Sequence, residues 1–305
     1  QDRIRPRAVS ETPNPFLPGA GRMEAEGCPR AITWSANSVS GTKKPINDDA
    51  WLAFASDING ASSLGKDGRH SLKSHDLVFA VSDGMGGGNA GDVASRLLLE
   101  YLSEMIPRTF KTAASGMHPD YLHHMQQAIN AVHLAINADA AHDDNKQGMA
   151  ATLALAWFTP ENLYFCNVGD SRLYVHRAQG EESKTTLLTQ DHTFVWKKLN
   201  RGEINERQFR THPRRSALYE VVGGGHRTVN PYLATFPYQS GDRFLLCSDG
   251  LIDGLWEKNI HATFLKNSGS TSELTEALMC RAVSNDGTDD TTLISLEVHD
   301  LEENS

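Results

Sequence analysis

Long apolar runs are missing from this sequence: nowhere do about 18 hydrophobic residues follow one another, the length that a membrane-spanning helix needs. The opening QDRIRPRAVSETPNPFLPG has no apolar core between a basic flank and a small-residue cleavage site, so neither a leader nor membrane attachment is read there. A cytoplasmic protein is expected, and a start at Gln1 rather than Met leaves room for a trimmed or processed beginning. Cysteine is scarce as well. Cys28, Cys166, Cys247 and Cys280 show no C-x-x-C spacing, and Cys166 and Cys247 fall inside apolar runs, so reduced and mostly buried thiols are expected. Positive charge is in deficit, with 29 Lys and Arg against 38 Asp and Glu and a formal net charge of −9. That balance argues against nucleic acid or an anionic membrane as partner and suits an acidic site that holds cations. Solenoid-type repeats are absent too.

What is present is enough apolar material, 39% of 305 residues, for a sizeable core in one large domain or two modest ones. Residues 1–30 are rich in Pro, Arg and Glu without periodicity and read as a poorly ordered extension. A folded domain is expected over 31–298, with 299–305 as a tail. Its predicted strands are 32–39, 50–56, 76–82, 151–158, 162–168, 172–178, 184–190, 242–248 and 291–298. Short Pro, Asn or Gly-Asp turns join several of them, which favours antiparallel hairpins. Helical spacing appears over Gly91 to Met105, with Val93, Leu97, Leu98 and Leu102 apolar, and over Tyr121 to about His142, with Leu122, Met125, Ile129, Val132 and Ile136. Further helices are expected near 193–201 and 271–284. The pattern predicts an α+β fold: a central β-sandwich of two antiparallel sheets flanked by helices, four layers in αββα order.

Two stretches interrupt this plan. Residues 57–75 form a long Gly/Ser-rich connection, more often disordered than functional. Residues 211–225, THPRRSALYEVVGGG, follow Arg207 and Arg210 and look like a mobile lobe, part of a segment at about 192–225.

The stretch VSDGMGGGNAGD (81–92) poses a question about chemistry. Gly86, Gly88 and Gly91 satisfy the G-x-G-x-x-G spacing of a pyrophosphate cradle, but Asp83 would place a negative charge where phosphates belong. The strand ends decide. Asp83, Asp170 and Asp249 stand at C-terminal strand ends, while Asp48-Asp49 and Asp289-Asp290 precede strands. In antiparallel sheets the C-terminal end of one strand lies beside the N-terminal end of its neighbour, so all five sites can share one edge. Cations would relieve their repulsion, and oxygen-only ligands point to Mg²⁺ or Mn²⁺ rather than zinc. A single Asp-Gly pair is more often an ordinary turn. Gly84 and Gly250 leave the backbone bare after two of these aspartates, so a carbonyl could also reach a metal.

At KKPINDDAW (43–51), FAVSDGMGG (79–87), VGDSR (168–172), LTQDHT (188–193), LLCSDGL (245–251) and TDDTTL (288–293) the sequence resembles the metal-dependent protein phosphatases of type 2C, in their bacterial form. The segments fall in that family's order over about 31–298. The resemblance implies a protein serine/threonine phosphatase in which a water bridging two metals attacks phosphorus directly. Asp49, Asp83, Asp249 and Asp289 match the metal-holding carboxylates, Gly84 a carbonyl ligand, Asp170 the acid of a third, weaker ion, and Asp48 a supporting acid. Two cations about 3.5–4 Å apart would activate that water and neutralise the transferring phosphoryl group. The implied partner is a phosphorylated protein, with an opposing Ser/Thr kinase, and the chain is expected to be a monomer.

The sequence departs from the family at several places. Lys44 stands for an arginine that grips phosphate with a planar fork, which implies weaker or more permissive phosphate binding. Met85 stands where some members have a histidine, leaving the general acid unassigned, with His192 and His212 as candidates. Asp290 replaces a common asparagine beside Asp289, and Ala150-Ala151 replace a Gly-Thr pair. The segment at 192–225 resembles the flap of bacterial members, where His212, Arg214 and Arg215 could meet an acidic substrate or form a solvated basic surface. His118, His123, His124, His133 and His142 read as a solvated helix face, and Trp34, Trp51, Trp157 and Trp196 as core. Two other readings stay open: a phosphatase-like module that binds phosphoproteins with little turnover, and a phosphatase of small molecules.

Overall fold

The computed structural model describes residues 29–43, 45–57, 60–86, 90–107, 120–179 and 182–301. The expected extension up to residue 28, Lys44 and Gly88 lie outside the described residues. The chain opens with β1 (Arg30–Val39), β2 (Asp49–Asp57), β3 (Gly60–Ser63), β4 (Asp67–Ser71) and β5 (Asp76–Met85), followed by a helix pair, α1 (Ala90–Met105) and α2 (Tyr121–Ala141). Next come β6 (Ala150–Ala151), β7 (Leu153–Phe158), β8 (Leu163–Val168), β9 (Arg172–Gln179) and β10 (Glu182–Leu187). Two short helices, α3 (Phe194–Asn200) and α4 (Glu206–Arg210), precede β11 (Val222–Gly223), β12 (Tyr232–Phe236) and β13 (Arg243–Cys247). Finally α5 (Asp249–Gly254), α6 (Glu257–Lys266) and α7 (Thr271–Asn285) lead into β14 (Thr291–Asp300).

One sheet runs β10-β9-β13-β14-β1-β4; the other runs β11-β6-β5-β7-β8-β12, with β2 on β5 and β3 on β2. Each sheet buries one face against the other sheet and its second face against helices, so β5, DLVFAVS, reads as a continuous apolar run rather than an alternating one. Between the sheets, Trp34 lies 5.5 Å from Phe79 and Phe158 lies 5.3 Å from Phe244, ring centre to ring centre. Leu98 and Leu102 of α1 and Ile129 and Ile136 of α2 cover one outer face, while Leu251, Phe264 and Leu278 of the last three helices cover the other. Each such side chain contributes about 1.5–3 kcal/mol on burial. The expected α+β sandwich is the observed one.

The differences have local causes. Residues 60–63 and 67–71 form strands within the expected open connection: β3 extends one sheet along β2 and β4 extends the other along β1. Their polar side chains hid them, because edge strands need only a backbone ladder. Trp256 stands at the residue before α6 without a capping hydrogen bond from its side chain, and the Arg210 guanidinium lies 5.0 Å from its ring. Buried Cys166 and Cys247 are free thiols, and so is exposed Cys280; Cys28 is outside the described residues. His133 contradicts the solvated-face reading: it is only 1% exposed, on the apolar stripe between Ile129 and Ile136. No helix among the described residues is long and apolar enough to cross a membrane.

Candidate active site

The carboxylates meet at one edge of the sandwich. Asp49 opens β2 directly opposite Asp83, near the end of β5. Asp249 begins α5 immediately after β13, Asp289 precedes β14, and Asp170 sits in the turn from β8 to β9. Part of Asp83 still reaches solvent, yet its carboxyl is held well above the ordinary carboxylate range, first by lost hydration and then by the negative charges of Asp249, Asp49, Asp170 and Asp289. Asp249 is raised in the same way, by desolvation and then by Asp170, Asp253, Asp289 and Asp49. Burial likewise lifts Asp49 to about 7, although Ser248 Oγ donates to its Oδ2 at 2.7 Å.

Backbone geometry sets these positions. β6 and β7 form one strand interrupted at Thr152, a local break in the ladder beside Asp83. Thr152 N–H donates to the Asp83 carbonyl at 2.8 Å, and its Oγ1 accepts the Asp83 N–H at 2.9 Å. The same hydroxyl lies 2.7 Å from Ser171 Oγ, so one buried threonine ties the Asp83 turn to the Asp170 turn. Sequence reasoning missed Thr152; a lone polar residue in the apolar run MAATLAL is the signal that marks it. Asp48 is buried, and its Oδ1 accepts the Asp92 N–H in the first turn of α1 at 3.0 Å, where unpaired helix donors and the helix dipole favour a carboxylate. Asp290 is buried too and binds the backbone N–H groups of Gly41 and Asp48, one on each oxygen.

Glycine is required where these segments cross. A Cβ on Gly84 would lie 1.9 Å from the Gly91 carbonyl oxygen, and one on Gly91 would lie 2.7 Å from the Gly84 carbonyl oxygen. Bare backbone at both positions leaves the Gly84 carbonyl uncrowded.

Residues 63–281 match the sequence pattern described as protein phosphatase 2C. The chain belongs to the protein phosphatase 2C family. The serine/threonine phosphatase stp of Listeria welshimeri is 32% identical over 226 residues, covering 74% of this chain and 86% of that protein. Among solved structures, the Mycobacterium tuberculosis serine/threonine phosphatase PstP/Ppp superposes with a TM-score of 0.70 at 28% identity, covering 88% of this chain and 99% of that one. The catalytic domain of PstP in complex with 2 manganese ions is also similar, with a TM-score of 0.66, 27% identity and coverage of 89% and 100%. Asp48, Asp49, Asp289 and Asp290 fall outside the matched span of residues; Asp49 pairs with Asp83 across the sheet, and Asp290 accepts the Asp48 N–H.

In this protein phosphatase 2C the segment at 192–225 is docked beside the carboxylates. Arg172 makes a two-point pair with buried Asp191 and also binds Glu257, which joins the VGDSR and DHT motifs. His192 N–H donates to the Gly169 carbonyl and its Nδ1 accepts the Gly169 N–H, so the ring positions the Asp170 turn. Burial lowers its pKa to about 4. Arg210 donates to the carbonyls of Ile252 and Leu255, and Arg215 makes a two-point pair with Asp253, one turn after Asp249. Arg214 is exposed, and half-buried His212 accepts the Arg214 N–H. A cavity of about 20 Å³, room for one water, lies among Asp170, Arg172, Asp191, Arg215, Asp249 and Asp253.

Among the described residues, no three His, Cys, Asp or Glu side chains form a group placed to hold one metal ion. The donor chemistry nevertheless suits cations, because carboxylates from separate segments crowd one another. Such oxygen donors suit hard divalent cations.

Proposed function

We propose that this protein phosphatase 2C hydrolyses phosphoserine and phosphothreonine in proteins, reversing a Ser/Thr kinase. Asp49, Asp83, Asp249 and Asp289 would hold two ions, Mn²⁺ or Mg²⁺, with the Gly84 carbonyl as a further ligand and Asp170 serving a third, weaker one. The convergence of Asp83 with Asp249, Asp49, Asp170 and Asp289 carries this reading, since such charge at one edge calls for cations. When bound, the ions would lower the pKa of a coordinated water and neutralise charge on the transferring phosphoryl group. The chain itself orients the carboxylates: Ser248 fixes Asp49, Thr152 fixes the Asp83 backbone, Asp290 holds the backbone of Gly41 and Asp48, and Asp48 ties to the first turn of α1. Lys44 is the proposed phosphate contact. No Ser or Cys nucleophile is needed, because water is the attacking group.

Phosphate release from a phosphothreonine protein in the presence of Mn²⁺ or Mg²⁺ tests this. Turnover that ceases with excess chelator is expected; a folded protein inactive with both ions would contradict it.

A further inference from the structure

His133, the buried histidine of α2, meets the exit of the 192–225 segment. Its Nδ1 accepts the Gly223 N–H at 3.0 Å, and its Nε2 lies 2.9 Å from the His226 carbonyl. A backbone N–H can only donate and a carbonyl can only accept, so these partners assign one neutral tautomer with the proton on Nε2. One helical turn later, Asn137 repeats the grip: Oδ1 accepts the Gly225 N–H at 2.8 Å and Nδ2 donates to the His226 carbonyl at 3.0 Å. The gripped turn is one that only glycine adopts readily, because Gly223, Gly224 and Gly225 have φ of 88°, 68° and 74°. The turn is also where β11 ends. Val222 and Gly223 pair with Ala151 and Ala150, which pair in turn with Gly84 and Met85. A continuous ladder thus runs from the α2 grip to the residue after Asp83.

We propose that His133 and Asn137 form a positioning latch that holds the root of the 192–225 segment in register beside the candidate site, and that this latch governs turnover of protein substrates more than that of small phosphate esters. The proposal rests on the phosphatase reading. Releasing the latch leaves Arg210 and Arg215 in the middle of the segment, and the Thr193–Leu218 bridge across it, to hold the rest, so the segment loosens at its root without detaching. A protein substrate, which must lie across the segment, senses this; a small aryl phosphate entering the carboxylate edge does not.

The test uses the full chain with His133→Phe, Asn137→Ala and the conservative His133→Gln, read by amide hydrogen exchange and by separate kcat and KM values. The bond from Gly223 to His133 is buried, whereas those of Asn137 are exposed, so losing the first corresponds to about a tenfold change and losing the second to less. Exchange over 211–226 should therefore quicken about tenfold in His133→Phe and about threefold in Asn137→Ala, and KM for a phosphothreonine protein should rise about as much. The kcat for p-nitrophenyl phosphate should stay within about twofold, and His133→Gln, which keeps an acceptor and a donor, should recover part of the loss. Unchanged exchange over 211–226, or an equal loss on both substrates, would overturn the latch. Half-buried Asn137 keeps the test available if His133→Phe fails to fold. An inactive wild-type chain would count against the phosphatase reading alone, and the exchange result would still decide whether the grip exists.

Discussion

Asp290 holds the backbone of Asp48: its Oδ2 accepts the Asp48 N–H at 2.7 Å, while Oδ1 accepts the Gly41 N–H, also at 2.7 Å. An aspartate where the family often has asparagine therefore has a use in this chain. A carboxylate accepts on both oxygens; an amide would turn its NH₂ against one of the two donors. Asp290→Asn should lose one of these bonds, about 1.5–3 kcal/mol, and Asp290→Ala should lose both and strand two buried N–H groups. Urea unfolding checks the order wild type, Asn, Ala; equal stability of all three would show that the loop is held by something else.

The two adjacent arginines of the 192–225 segment should separate. Arg215 is tied to Asp253 at two points, whereas Arg214 is exposed. Arg215→Glu places like charges together beside Asp249 and should cut kcat/KM about tenfold or more for both p-nitrophenyl phosphate and a phosphoprotein. Arg214→Glu should reduce only phosphoprotein turnover, by about threefold to tenfold. A loss confined to phosphoprotein in both variants would mean that the Asp253 pair does not support the edge.

Far from the carboxylates, Asp76 and His176 give stability opposite dependences on pH. Burial raises Asp76 to about 7, against hydrogen bonds from Trp157 and Tyr121. A group raised on folding contributes fully below its unfolded value near 3.8, and its contribution is lost as pH climbs through about 7. His176, lowered to about 4 by burial and by Arg243, instead contributes above its unfolded value of 6.5 and loses that contribution as pH falls toward 4. Asp76→Asn, which keeps an acceptor for Trp157, should therefore gain on the order of 2–4 kcal/mol over wild type at pH 8 and little at pH 4. His176→Phe should flatten the acid side. Denaturation midpoints across pH 4–8 that move in parallel for all three proteins would contradict both assignments.

The meeting of carboxylates at one edge was legible because strand ends announce themselves. Asp83, Asp170 and Asp249 each close an apolar run, and antiparallel pairing does the rest, as the Asp49–Asp83 register shows. Short or polar elements were not legible. Helix α5 begins on Asp249 without a side-chain cap, so an Asp-Gly turn signal concealed it. Strands β3 and β4 carry no apolar pattern because they lie at sheet edges. His133 was readable in principle, since it falls four residues after Ile129 and three before Ile136, on the buried stripe. The grip of Arg215 on Asp253 and the tie of Thr152 to Ser171 join residues far apart in the chain, and no local pattern records such contacts.

The most direct test is a calorimetric titration of the metal-stripped full chain with Mn²⁺, for the wild type and Asp249→Asn, with turnover of a phosphothreonine peptide followed at each addition. Two saturable ions in the wild type are expected, with activity rising as they bind, and both the second ion and turnover should be lost in the variant. Full turnover in Asp249→Asn, or wild-type activity that is complete without Mn²⁺ or Mg²⁺, would contradict the assignment of these carboxylates as the metal-holding machinery of the phosphatase.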